Sequence, residues 1–468
     1  MLSAPHPSVS VAKAALAQTG LPRGEVDAWA RAWPSGAAEL SSDAKACGAF
    51  WARSRELLSL LPAKATRNEA EAAAAGALLS LDRVSRAGFL RAHAPAVYDA
   101  LTARRSSFLR VDELCRCAST AFPGLVPSPQ ELEAEARTAL RDKEGLETDQ
   151  SLFLAAVLAD AAAGTHLCHA MLLPREGARD RLAELERTGE IDLGAARLER
   201  RGKASVVTLK NPRFLNAEDD STLEATELAV DLALLDRKTE ICVLRGGTVE
   251  HPKHAGRRMF GAGINLTRLY RGSIPFLWYL IRDLGFVNKL YRGLALPEVS
   301  PEEDSIEKPW IAVVEAFAIG GHCQILLAVD YVLAAADAYL TLPARKEGIV
   351  PGAANLRLPR FVGERIARQA IMAERRIDCA GAEGRLICDA IVPPGDIDAA
   401  IGRAIEALTG SGVVSAAANR RAFRAGEEPL DTFRRYMSVY AREQARCHFS
   451  PALVANLERN WNAASRVA

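Results

Sequence analysis

Phe317-Ala318-Ile319-Gly320-Gly321-His322-Cys323-Gln324 lies between two apolar runs, 310–314 and 325–329, and the pattern reads as strand, glycine turn and buried helix. Two glycines let backbone approach a ligand closely, and the first N–H groups of the new helix have no intrahelical partner. The helix dipole adds positive character at the same end. Such a turn suits an anion, or an oxygen that is becoming one. An acid/base enzyme would carry a carboxylate one helical turn further on, whereas position 324 is glutamine. The segment keeps an anion-stabilising turn and drops a proton-transfer group.

Around this segment strands and helices alternate. Residues 204–209 and 240–245 are rich in Val, Ile, Leu and Thr and flank a helical pattern over 220–235, a β-α-β unit with a right-handed crossover. Further strands are predicted at 310–314, 331–335 and 339–342, with helices at 324–327 and 365–372. Residues 1–200 instead carry Ala-, Leu-, Arg- and Glu-rich helical stretches at 68–79, 83–101, 129–142 and 176–188, punctuated by Pro34, Pro62, Pro123, Pro127 and Pro129. The later chain is helical again over 397–408, 413–424 and 429–445. The fold class is therefore α/β: an all-helical N-terminal domain over 1–200, an α/β core over 201–410 and a C-terminal helical region over 411–468.

Composition narrows the function classes. With 468 residues and 49% hydrophobic content the chain can bury a large core. A net charge of +1 with interspersed signs offers no broad polyanion-binding face, so nucleic acid is not an expected partner. Residues 1–20 lack the hydrophobic core of a secretory leader, and the most apolar windows, 153–173 and 310–336, are broken by charged residues or glycines. Neither a membrane nor export is expected. Nine scattered cysteines, an odd number, fit reduced thiols in a cytoplasmic protein. Cys115 and Cys117 are too close for the usual ligand spacing, and His166 with His169 forms an i, i+3 pair without a third ligand, so no metal site is expected.

Four segments in register resemble the crotonase, or enoyl-CoA hydratase, superfamily. They are Leu215-Asn216-Ala217, Phe260-Gly261-Ala262-Gly263-Ile264, the Gly320-Gly321 turn, and Glu347-Gly348-Ile349-Val350-Pro351-Gly352-Ala353. The resemblance implies a ββα spiral core. It also implies that the backbone at Asn216 and Ala217 lies along an acyl-CoA, and that the N–H groups of Ile264 and Gly321 form an oxyanion hole. Hydratases of the family pair two glutamates, and the matching positions here are Gln324 and Ala344. Each acid/base role is worth about 10² to 10⁴ in rate, so losing both argues against hydration. Glu347 stands one turn later, beside Arg345 and Lys346, and reads as half of a surface ion pair.

The helical N-terminal domain, an insertion over 266–307 and the segments Glu307-Lys308-Pro309-Trp310, 342–361 and Ala418-Asn419-Arg420-Arg421 are similar to a branch of the superfamily with different chemistry. That branch oxygenates dihydroxyphenylacetyl-CoA without metal, flavin or other cofactor. The likeness implies an acyl-CoA substrate with O2 as cosubstrate, a 2-oxo acid and free CoA as products, and a place in making an arylglycine for a peptide antibiotic. It implies Glu218, Arg282 and Gln324 as partners of the ring hydroxyls, with Glu218 and Gln324 among the catalytic residues, and Leu266, Ala344 and Ile349 around an oxygen pocket. It also implies a homo-oligomer, a trimer or paired trimers in a hexamer. Basic residues would hold the CoA phosphates, with Arg420, Arg421, Arg434 and Arg435 as candidates. His322 reads as packing. Two other readings stand beside this one: a hydratase or isomerase using Glu218 or Glu347 as base, and an inactive scaffold.

Overall fold

Short β-branched runs that bury on both faces make the centre of the molecule. The structure, a computed structural model, describes residues 7–466 apart from 35, 37 and 38; the start of the N-terminal stretch read for a leader, residues 1–6, lies outside the described residues. A seven-stranded sheet contains β1 (Glu190–Asp192), β2 (Ala196–Arg201), β3 (Ala204–Leu209), β4 (Ile241–Gly246), β5 (Trp310–Val314), β7 (Tyr331–Ala335) and β10 (Ala390–Val392), in that spatial order. From β3 onward the strands are parallel, and helix α6 (Leu223–Leu235) crosses between β3 and β4. A second, three-stranded sheet holds β6 (Phe317–Ile319), β8 (Tyr339–Thr341) and β9 (Ile377–Asp378), with β8 central.

The first 200 residues are not purely helical. β1 and β2 pair antiparallel and extend the main sheet through β3. Their sequences, Glu-Ile-Asp and Ala-Arg-Leu-Glu-Arg-Arg, bury only Ile191, Ala196 and Leu198. Charges on the outer face hide so short an alternation. Helices 68–79 and 83–101 are one helix, α2 (Glu69–Leu101), because nothing between them breaks a helix. Its start is fixed by Asn68, which accepts from the Glu71 N–H at 3.0 Å while its own N–H donates to the Glu71 carboxylate at 2.9 Å.

The N-terminal helices are bolted to the core through buried charge. Arg110, preceding α3 (Val111–Ala121), donates to both oxygens of Glu227 on α6 at 2.7 and 2.8 Å. Lys289 reaches Glu227 at 2.8 Å and Asp231 at 2.7 Å. Such charges stay buried because they are paired, Glu227 with Arg110, Arg175 and Lys289, and Lys289 with Asp231 as well; removing one partner typically costs about 3–5 kcal/mol. Helix α4 (Thr148–Ala159) packs along α11 (Leu430–His448), which joins the N-terminal helices to the C-terminal ones. All nine cysteines are free thiols. His166 bonds the Tyr98 hydroxyl and His169 the Leu296 carbonyl, each at 2.8 Å, so the histidine pair belongs to packing. Among the described residues no single helix is long and apolar enough to cross a membrane.

Candidate active site

The Gly320-Gly321 turn sits where β6 hands over to helix α8 (Gly321–Leu326). β8 holds one side of it, with the Gly320 N–H donating to the Thr341 carbonyl at 2.9 Å. The other side is held by residues 261–263, since Gly261 bridges Ala318. Gly320 adopts φ 54° and ψ −115°, backbone that side chains rarely accept. A Cβ on Gly263 would meet Ile319 O at 2.8 Å and Gly321 N at 3.3 Å. The two loops therefore touch backbone to backbone.

This arrangement leaves two amides aimed away from protein. Glu218 and Ile264 form a parallel bridge in which Glu218 N–H donates to Gly263 O at 2.7 Å and Asn265 N–H to Glu218 O at 2.8 Å. Parallel pairing of this kind spends the groups flanking residue 264 and turns the Ile264 N–H to the opposite side. Neither that amide nor the Gly321 N–H has a hydrogen-bond partner among the described residues. Both residues line one cavity. Unpaired amide N–H groups at a largely buried wall are costly unless a ligand oxygen completes them.

His322 fastens the two loops together. Its Nδ1 accepts the Gly263 N–H at 3.1 Å, so the ring proton sits on Nε2, and the ring occupies the space a Cβ on Gly261 would need. Burial pushes its pKa down to about 4. The ring does more than fill space: the histidine joins the residue after one free amide to the residue before the other.

Behind the turn lies a charged cluster. Arg282 donates to both oxygens of Glu218 at 2.8 and 2.9 Å, to Asp283 and to the Gln324 side-chain oxygen at 3.0 Å each, and to Gly321 O at 2.8 Å. Burial opposes its charge, yet Glu218 and Asp283 outweigh burial and hold its pKa above the ordinary value. Asp283 is raised by burial, with Arg282 opposing. Arg282 opens a five-residue π-helix, Arg282–Phe286, that follows α7 (Leu277–Ile281). π-helical turns gather at functional sites because the wide turn redirects a side chain.

The expected site residues are partly assembled. Ile264, Gly321, Gln324, Arg282, Ala344 and Ile349 line the inner cavity together. Glu218 does not: it lies behind Arg282, against Gly321 and His322, saturated by the guanidinium. Asn216 is a brace, its side chain donating to Gly247 O and Met259 O and accepting from Asn211 N–H. Ala217 and Leu266 line a second, open cleft instead. Ile264 and Glu347 line both spaces and so stand at the boundary where the two adjoin, the throat of the site.

Several lining residues carried no motif. Trp278, Tyr279, Asp283 and Tyr440 also wall the inner cavity. The Trp278 indole N–H is buried without a partner. Glu347 is the larger correction. It is 5% exposed, forms no ion pair with Arg345 or Lys346, and its carboxyl has no hydrogen-bond partner among the described residues. Burial first, then the charge of Glu374, pushes it up to about 8. The C-terminal arginines sit elsewhere: Arg420 and Arg421 pair with Glu307, and Arg434 and Arg435 with Asp431. The open cleft is lined by Arg213, Lys346 and Arg466, with His251 beside them.

Residues 199–439 match the enoyl-CoA hydratase/isomerase family. The chain belongs to that family. As an enoyl-CoA hydratase/isomerase family member it is 47% identical over 391 residues, 83% of its own length and 89% of the other chain, to a (3,5-dihydroxyphenyl)acetyl-CoA 1,2-dioxygenase from Amycolatopsis orientalis. It is 30% identical to a short-chain-enoyl-CoA hydratase from Clostridium acetobutylicum, over 44% of this chain and 72% of that one. A crystal structure of an enoyl-CoA hydratase from Mycobacterium avium subsp. paratuberculosis superposes with TM-score 0.48 at 20% identity, covering 59% of this chain and all of that one. The likeness to the dioxygenase takes in most of the chain, whereas the hydratase likeness covers less than half.

Proposed function

We propose that the chain is a dioxygenase that needs no metal or organic cofactor and converts 3,5-dihydroxyphenylacetyl-CoA and O2 to 3,5-dihydroxyphenylglyoxylate and free CoA. The observation that carries this reading is a cavity with two unpartnered backbone amides, Ile264 and Gly321, whose family acid/base positions hold Gln324 and Ala344. The extended likeness to a dioxygenase of that substrate supports it.

In this reading the thioester oxygen lies between the two amides, an oxyanion hole in which each donor is worth about 3–4 kcal/mol to an enolate. The CoA arm runs out through the open cleft, where Arg213, Lys346 and Arg466 meet its phosphates. The ring lies inside. Its hydroxyls pair with the Gln324 amide, Asp283, Tyr440 and the Trp278 N–H, because a buried hydroxyl without a partner costs about 1–3 kcal/mol. Arg282 holds Gln324 and Asp283 in place for that task.

An enolate conjugated to an electron-rich ring passes one electron to O2, and the resulting radical pair joins at the α carbon. The new peroxide attacks the thioester carbonyl and expels CoA thiolate. Loss of the remaining α proton with O–O cleavage leaves ketone and carboxylate, each with one oxygen from O2. Ala344, Ile349 and Leu342 supply an apolar wall for the gas. The test is oxygen uptake by metal-stripped protein with 3,5-dihydroxyphenylacetyl-CoA, followed by ¹⁸O2 labelling. Two labelled atoms in the 2-oxo acid are expected. Hydration of crotonyl-CoA at ordinary turnover, or no oxygen uptake, would overturn the reading.

A further inference from the structure

We propose that Glu347 is the general base that removes the α protons of the bound thioester, an assignment that rests on the dioxygenase reading above. Its position is the first argument. Ile264 and Glu347 line both the inner cavity and the open cleft. A thioester whose oxygen meets the Ile264 amide therefore lies in the throat that Glu347 walls, and the α carbon is one bond from that carbonyl. Glu347 also ends the single helical turn α9 (Ala344–Glu347), three residues after Ala344. Residues three apart share a helix face, so a carboxylate one turn later reaches toward the region that position 344 faces.

Company is the second argument. A base must have a free lone pair and must not be neutralised by a cation. Glu218 has both oxygens occupied by Arg282. Asp283 is held by the same guanidinium, at 3.0 Å. His322 spends its basic nitrogen on the Gly263 N–H, and Tyr279 and Tyr440 are phenols whose pKa values burial raises. Glu347 alone among the acids on this wall has no donor on its carboxyl among the described residues. The charged groups nearest it are Lys346 on its own turn and Glu374, which Arg345 holds at 3.1 Å; the Tyr279 phenol faces it from α7. The upward shift of its carboxyl matches the demand, since a stronger base draws a carbon-bound proton more readily and remains partly ionised near neutrality.

The proton inventory closes on this residue. Glu347 carboxylate takes the first α proton as the enolate forms. It returns that proton to the departing CoA thiolate, whose sulfur occupies the same throat. Ionised again, it takes the second α proton as the O–O bond breaks, and releases it to solvent before the next turnover. No additional oxidant or reductant is needed beyond the O2 of the reaction itself.

The experiment is anaerobic hydrogen–deuterium exchange at the α carbon of 3,5-dihydroxyphenylacetyl-CoA in D2O, followed by NMR, with wild type, Glu347→Gln and Glu347→Asp. Wild type is expected to exchange, with a rate that rises with pH to a plateau above about 8. E347Q is expected to lose 10² to 10⁴-fold while still binding the thioester, and E347D to recover part of it with a shifted pH limb. Exchange in E347Q at the wild-type rate would overturn the assignment. If E347Q does not fold, a wild-type exchange rate flat between pH 6 and 9, or an unshifted limb in E347D, overturns it equally. No exchange and no oxygen uptake in wild type would sink the dioxygenase reading itself.

Discussion

Glu218 and Glu347 are buried carboxylates beside one site, and they keep different company. Glu218 faces a guanidinium that also grips Asp283, Gln324 and the Gly321 carbonyl. Glu347 faces a cavity. A carboxylate saturated by arginine is a structural fixture, whereas burial without a donor raises a carboxyl's hold on its proton. Chemistry-bearing residue type alone does not separate the two; their hydrogen bonds do. Burial costs are also opposite in kind, since the first is compensated by its partner and the second is kept tolerable by holding its proton.

The sharpest way to break this contrast is to neutralise each in turn. E347Q is expected to cut oxygen uptake by about 10² to 10⁴-fold. Folding stability in the same variant rises at pH 8, because the folded chain holds this proton up to about pH 8 while the unfolded chain releases it in the ordinary carboxylate range. In wild type that contribution is fully present below the ordinary range and fades as pH climbs to about 8, and thermal melts across pH 5 to 9 would register its disappearance in E347Q. Glu218→Ala is the converse. Stranding Arg282 is expected to destabilise the fold by about 3–5 kcal/mol in denaturant titrations, and Glu218→Leu combined with Arg282→Met recovers most of that loss.

Gly321→Ala probes the boundary between them. Its Cβ would come within 2.3 Å of Glu218 Oε2, so the fixture must shift and carry the amide with it. A fall in kcat of about 10² to 10³-fold with KM little changed is expected, as for loss of one oxyanion donor. His322→Ala releases the link between the loops without adding bulk, and about a tenfold loss in kcat, corresponding to roughly 1–2 kcal/mol for one buried hydrogen bond, is expected from steady-state rates.

Backbone features of the site were legible because glycine patterns state them directly. At Gly263, Gly321 and Gly352 an added Cβ would come within 3 Å of a neighbour, and Gly320 adopts backbone that side chains rarely accept, so glycine marks each of these positions in the sequence. Strands β5 and β7 were also readable to the residue, since both are apolar runs bounded by turns. Side-chain company was far less legible. Glu347 beside Arg345 and Lys346 looks like surface, yet Arg345 turns to Glu374 and Lys346 lies over the Trp461 ring, leaving the glutamate inward. Arg282 takes its aim from a π-helical turn, which has no periodic signature. Tyr440 arrives from a helix of ordinary amphipathic pattern, so only its packing against the core reveals its place.

The His322 link has a consequence for measurement. A nitrogen that accepts a hydrogen bond and gains its proton only near pH 4 stays in one electrical state throughout the range where Glu347 exchanges its own. The loop carrying Gly263 and Ile264 is thus tied down by an uncharged strut, indifferent to pH from 5 to 9, and a titration of the enzyme in that window reads the chemistry at the throat without the frame moving beneath it.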